Sequence, residues 1–108
     1  MIDKDKQTPF YAMGRFLALY NVLSGDSAKE QWRRVGKVLD TVPRSTFQFW
    51  LKDCADKKMG ERNPEIVEVL TMFQFEDLPE RIFNPVEMGQ FQLGYFHQTS
   101  ECYKEKKH

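Results

Sequence analysis

Two segments near opposite ends of this chain each set a glycine inside an aromatic, helix-like run. One is Phe10-Tyr11-Ala12-Met13-Gly14-Arg15-Phe16-Leu17-Ala18-Leu19-Tyr20, the other Phe91-Gln92-Leu93-Gly94-Tyr95-Phe96-His97-Gln98. A glycine in a helix interior costs about 1 kcal/mol relative to alanine. A cost of that size marks a place where another backbone must come close. The pair therefore predicts that the first and last helices cross in the core.

The punctuation between the two segments is helical. Thr8-Pro9, Asn63-Pro64 and Asn84-Pro85 each put a capping side chain before a proline at the first helical position. Asn84 with Glu87, and Ser27 with Glu30, have capping-box spacing. Gly25 reads as a C-terminal stop, and Gly60 can play the same part after Lys57-Lys58-Met59. Five helices follow, at about 9–24, 27–41, 44–58, 64–75 and 85–103, with a connector from Glu76 to Phe83 that contains Pro79. No period-two alternation reaches strand length. The expected class is all-α, a compact five-helix bundle, with residues 1–108 forming a single helical domain and 104–108 a frayed polar tail. Hydrophobic residues make up 41% of the chain and aromatics 14%, enough for a packed core in 108 residues.

The first helix is apolar nearly all round, with Arg15 its one charge and Asn21 its other clearly polar group. Such a helix is central to its bundle or covered by a partner. On the fifth helix, Met88, Phe91, Tyr95 and Cys102 fall on one side, and Glu87, Gln90, His97 and Glu101 on the other.

Net charge is zero but unevenly spread. Residues 27–62 hold nine basic and five acidic groups, whereas residues 63–101 hold one basic and seven acidic. This fits either solvated helix surface or two faces for partners of opposite sign. No run approaches the length of a membrane span, and the N-terminus has no apolar signal region, so the expected location is cytoplasmic, with no membrane partner. Cys54 and Cys102 form no CxxC pair and read as reduced thiols inside helices.

No HExxH, Cys/His cluster or phosphate-cradling glycine loop is present, so no catalytic residue, metal site or cofactor is assigned and the chain is not expected to be an enzyme. His97 reads as a surface or capping group. The guanidinium of Arg15 needs water, a carboxylate or a phosphate. It either pairs with an acid of the 63–101 region or meets a partner. Lys29, Arg33 and Lys37 recur at four-residue spacing, with Arg34 adjacent and Arg44, Lys52, Lys57 and Lys58 following. With Trp32 and Trp50 nearby, these cations suit a single strand through phosphate charge and base stacking. The plainer alternative places both tryptophans in the core.

The two glycine segments resemble landmarks of one family. The CRISPR type I-C effector complex (Cascade) has a large subunit whose C-terminal region also exists as a separate small subunit. That region is similar in its Tyr-x-x-Gly-Arg-x-x-Ala pattern, here Tyr11, Gly14, Arg15 and Ala18. It is similar again in its aromatic-Gly-Tyr-aromatic-His-Gln pattern, preceded by a Gly- or Gln-rich helix, here Gly89-Gln90-Phe91-Gln92-Leu93-Gly94-Tyr95-Phe96-His97-Gln98. Val42-Pro43-Arg44-Ser45-Thr46-Phe47 resembles a proline-led family helix more loosely.

The resemblance implies a non-catalytic small subunit that contacts backbone and large subunits and copies of itself. It also implies contact with opened single-stranded DNA, without reading sequence. Arg33, Arg34, Lys37, Arg44 and Lys52 would then meet phosphate. Gly14, Arg15, Gly94, Tyr95 and His97 would serve packing or protein contact. Two alternatives stand beside it: a small-subunit mimic encoded by a mobile element that inhibits the complex, and an unrelated helical interaction module.

Overall fold

In a computed structural model, which describes residues 8–106, Thr8 opens the fold as an N-cap. Its side chain accepts from the Tyr11 N–H at 3.2 Å and starts α1, Pro9–Ser24. Gly25 closes α1 in the left-handed region, φ 71°, where glycine carries no Cβ penalty. Ser27 accepts from Glu30 N–H and starts α2, Ala28–Asp40. Helix α3, Pro43–Asp56, begins on its proline. A single turn, α4, Met59–Arg62, leads through the Asn63 cap into α5, Pro64–Leu70. A 3-10 turn at Phe75–Asp77 interrupts the connector to α6, Pro85–Lys106. The Asn84–Glu87 capping box closes in both directions, each side chain accepting from the other's N–H at 2.9 Å.

The all-α expectation holds among the described residues, but the helices number six rather than five. The difference lies around Gly60. The chain reverses at Lys58, which takes the left-handed conformation with φ 52° and ends the run that the sequence carries to 58. Gly60 instead sits inside α4 with its bare Cα against Val67, so its job is packing and not capping. Helix α5 stops at Leu70, short of 75, because Phe73 and Leu78 turn inward to the core from an irregular connector. Of the expected frayed tail, residues 104–106 continue α6, as good helix formers can. Residues 107 and 108 lie outside the described residues.

Helix α1 is the axis of the molecule, with every residue from Tyr11 to Asn21 buried. It packs chiefly on α6 and then on α5. Phe16 of α1 meets Phe47, and Phe47 continues to Trp50 and to Phe91, which meets Phe83, in tilted and edge-to-face contacts. Cys54 and Cys102 are buried and unbridged. The radius of gyration of 12.8 Å is that of a compact globule of this length. Among the described residues no helix is long and apolar enough to cross a membrane.

Candidate nucleic-acid interface

The crossing of α1 and α6 gathers five of the residues singled out in sequence. A Cβ on Gly14 would lie 2.0 Å from the Phe91 carbonyl oxygen and 2.7 Å from the Tyr95 nitrogen; a Cβ on Gly94 would lie 2.0 Å from the Tyr11 carbonyl oxygen. Backbone therefore rests on backbone in both directions, as the paired glycines predict.

The neighbouring side chains bond across this seam. Tyr11 Oη and His97 Nδ1 share a hydrogen bond at 2.7 Å, so His97 is half-buried and engaged with the core rather than a helix cap. Arg15 Nε donates to Gln98 Oε1 at 2.9 Å, and its Nη2 pairs with Glu65 at 3.4 Å. Gln98 Nε2 donates to the same Glu65 oxygen at 3.1 Å. Arg15 is thus held inside, by an acid of the 63–101 region. Tyr95 Oη accepts from Asn21 Nδ2 at 3.0 Å, and Asn21 in turn accepts from Arg34 at 2.9 Å. Asn21 and Gln98, both fully buried, are the polar keys to which the sequence alone assigns no role. The visible signal for Asn21 was its isolation in an otherwise apolar helix.

Glu87 was expected on the polar side of α6. It is buried instead, because the Arg81 guanidinium grips both carboxylate oxygens at 2.7 and 3.0 Å. That grip, with the Asn84 N–H, holds its carboxyl below the usual carboxylate range.

The five cations assigned to phosphate divide in two. Arg34 turns inward: it bonds Asn21, Ser24 and Asp26, and its guanidinium lies 5.2 Å from the centre of the Tyr20 ring. Its hydrogen bond is the main reason the Asp26 carboxyl sits below its ordinary value. Arg44 turns to the connector, donating to the Leu78 carbonyl at 2.7 Å and to Glu80 at 2.9 Å. Arg33, Lys37 and Lys52 face water. Arg33 makes an exposed one-turn pair with Glu30 at 3.1 Å, a contact of small energetic weight.

Arg33 and Lys37 flank a groove where α2 and α3 diverge. One hollow of about 190 Å³ is lined by Glu30, Arg33, Arg34, Lys37 and the edge of Trp50. A second, of about 300 Å³, continues past Lys37 to Thr41, Ser45, Thr46 and Phe49. Lys52 lies on α3 outside both. The tryptophans do not supply the groove's open ring. Trp50 is buried against Phe47 and Tyr20, and Trp32 is exposed but sits beside Tyr95 of α6. The exposed aromatic in the groove is Phe49, which the sequence reading missed. Its signal was angular: Phe47 and Phe49 are 200° apart on a helix, so one facing the core sends the other outward.

Two apolar surfaces are also open. A hollow of about 460 Å³ between α3 and α5 is walled by Leu51, Cys54, Ile66 and Val67. On α6, Val86, Leu93 and Phe96 form an outward stripe at helical spacing. Among the described residues no three His, Cys, Asp or Glu side chains gather into a metal-binding group. Comparison of the chain with protein-family models, with curated proteins and with solved structures gives no match in any of the three.

Proposed function

We propose that this chain is a non-catalytic, small-subunit-like component of a type I-C CRISPR effector complex, working in the cytoplasm and holding opened DNA strands through the α2–α3 groove. Its apolar α3–α5 hollow and α6 stripe would then meet neighbouring subunits, further copies of itself included. The observation that carries this reading is the interlock of the two resembling segments. Tyr11 bonds His97, Arg15 bonds Gln98, and Gly14 and Gly94 each receive the other helix's backbone. Residues that are distant in sequence and belong to two separate motifs thus form one joint, which supports reading both motifs as parts of a single family feature.

The test is binding of a fluorescent single-stranded oligonucleotide at about 50 and about 200 mM salt. The chain is measured alone and with backbone and large subunits. Binding is expected to be salt-sensitive and sequence-tolerant. Arg33→Glu and Lys37→Glu should each weaken it and reduce the salt slope by about one. Absence of binding in both settings overturns the DNA role.

A further inference from the structure

We propose that Phe49 is a base-stacking platform, which makes the α2–α3 groove selective for single-stranded nucleic acid over duplex and over other polyanions. This rests on the nucleic-acid reading of the groove and adds to it a contact with the base.

The ring of Phe49 is 68% exposed, while Phe47 and Trp50 on either side of it are buried. An isolated exposed phenylalanine is ordinary on a protein surface. This one lines a hollow whose other wall carries Lys37, and the ammonium of Lys37 has no partner among the described residues. Lys37 and Trp50 also line the next hollow with Arg33, and Arg33 lines a third with Lys29 and Ser27. The three hollows share residues in order along α2. From Lys29 to Thr41 they make a track of roughly 18 Å at 1.5 Å per residue. That length accommodates about four nucleotides, the low end of single-strand site sizes.

Among the described residues the only acid lining the track is Glu30, and it is bonded to Arg33. Charge along α2 therefore favours an anionic backbone, and the aromatic face stands at one end of the same track. A phosphate backbone laid on Lys29, Arg33 and Lys37 brings an unstacked base to the ring. Duplex DNA keeps its base faces stacked inside and has none to offer. An acidic peptide satisfies the cations but supplies no ring to stack.

Three probes are compared by fluorescence anisotropy on the whole chain: labelled oligothymidine, an abasic oligomer with the same number of phosphates, and polyglutamate. Oligothymidine is expected to bind at least about fivefold tighter than the abasic oligomer. Phe49→Ala is expected to erase that difference while leaving the salt slope unchanged. Phe49→Trp should restore it, and 2-aminopurine in the oligonucleotide should be quenched by the native chain and by Phe49→Trp only. Equal binding of oligothymidine and the abasic oligomer overturns the stacking contact and leaves the phosphate reading standing. Polyglutamate binding as tightly as oligothymidine overturns it in favour of an acidic protein partner. Failure of all three probes, with the chain alone and with backbone and large subunits present, overturns the groove reading and the stacking contact together.

Discussion

The carbonyl oxygen of Tyr11 occupies the place where a side chain on Gly94 would begin, 2.0 Å from the Cβ position. Gly14 meets Phe91 in the same way from the opposite helix. Alanine at either position drives a methyl group into backbone that belongs to a buried helix and cannot rotate aside. Overpacking of this kind costs about 1–3 kcal/mol or more, and exceeds the helix-propensity gain of about 1 kcal/mol. Gly14→Ala and Gly94→Ala should therefore lower the urea midpoint. Gly36→Ala and Gly89→Ala, where the added methyl meets nothing within 4 Å, should raise stability by about 0.5–1 kcal/mol. Four single variants in one denaturation series check the contrast; equal effects at all four sites would contradict the crossing.

The cations sort into structural and solvent-facing groups, and truncation should separate them. Arg15→Ala removes the donor to Gln98 Oε1 and the cation beside Glu65, leaving the Gln98–Glu65 bond to hold the pair, and is expected to cost about 3 kcal/mol. Arg34→Ala and Arg44→Ala remove half-buried hydrogen-bond networks and are expected to cost about 1–3 kcal/mol. Arg33→Ala, Lys37→Ala and Lys52→Ala should stay within about 0.5 kcal/mol of the native chain. Thermal melts of the six variants read this directly. A large loss at Lys37 would mean that it, too, is a structural residue.

Stability should fall at both ends of the pH scale for identifiable reasons. Asp53 is held low by the Tyr20 hydroxyl, which donates at 2.5 Å, and by Lys57; Glu87 is held low by Arg81. A carboxylate with a depressed folded pKa stabilises fully above its unfolded value, about 4, and loses that contribution as pH drops through the folded value. Melting temperature is therefore expected to hold near neutrality and decline below pH about 4, less steeply in Glu87→Gln. Tyr20 moves the other way. Burial, with the Asp53 carboxylate, pushes its hydroxyl well above the usual tyrosine range. Its contribution is complete below the unfolded value of about 10 and is lost as pH rises beyond it. In a spectroscopic titration one tyrosine should ionise anomalously late, and Tyr20→Phe should remove that step.

Local chemistry carried much of the architecture into the sequence. The caps at Thr8, Ser27, Asn63 and Asn84 act through side chains and N–H groups two or three residues away, so spacing alone reveals them. The stop at Gly25 and the glycine pair at 14 and 94 were legible for a related reason. A residue with a steep local cost implies a compensating contact, even before the contact is known. Gly60 followed the same rule with a different partner, since what meets its Cα is Val67 on another helix rather than its own helix end.

What the sequence could not decide was direction. Arg33 and Arg34 are neighbours with the same charge, yet one faces water and the other reaches Asn21 and Asp26, because a helix turns 100° between them. Arg15 required a carboxylate or a partner by its chemistry alone. Only the packing of α5 and α6 against α1 brings Glu65 and Gln98 to it. Phe49 and Phe47 are two phenylalanines with one residue between them, and the fold buries one while opening the other to the groove. Residue type and spacing set which elements form and where backbones must touch. The fold of α1 against its neighbours sets which charges are consumed inside and which remain at the surface, because those contacts join positions dozens of residues apart.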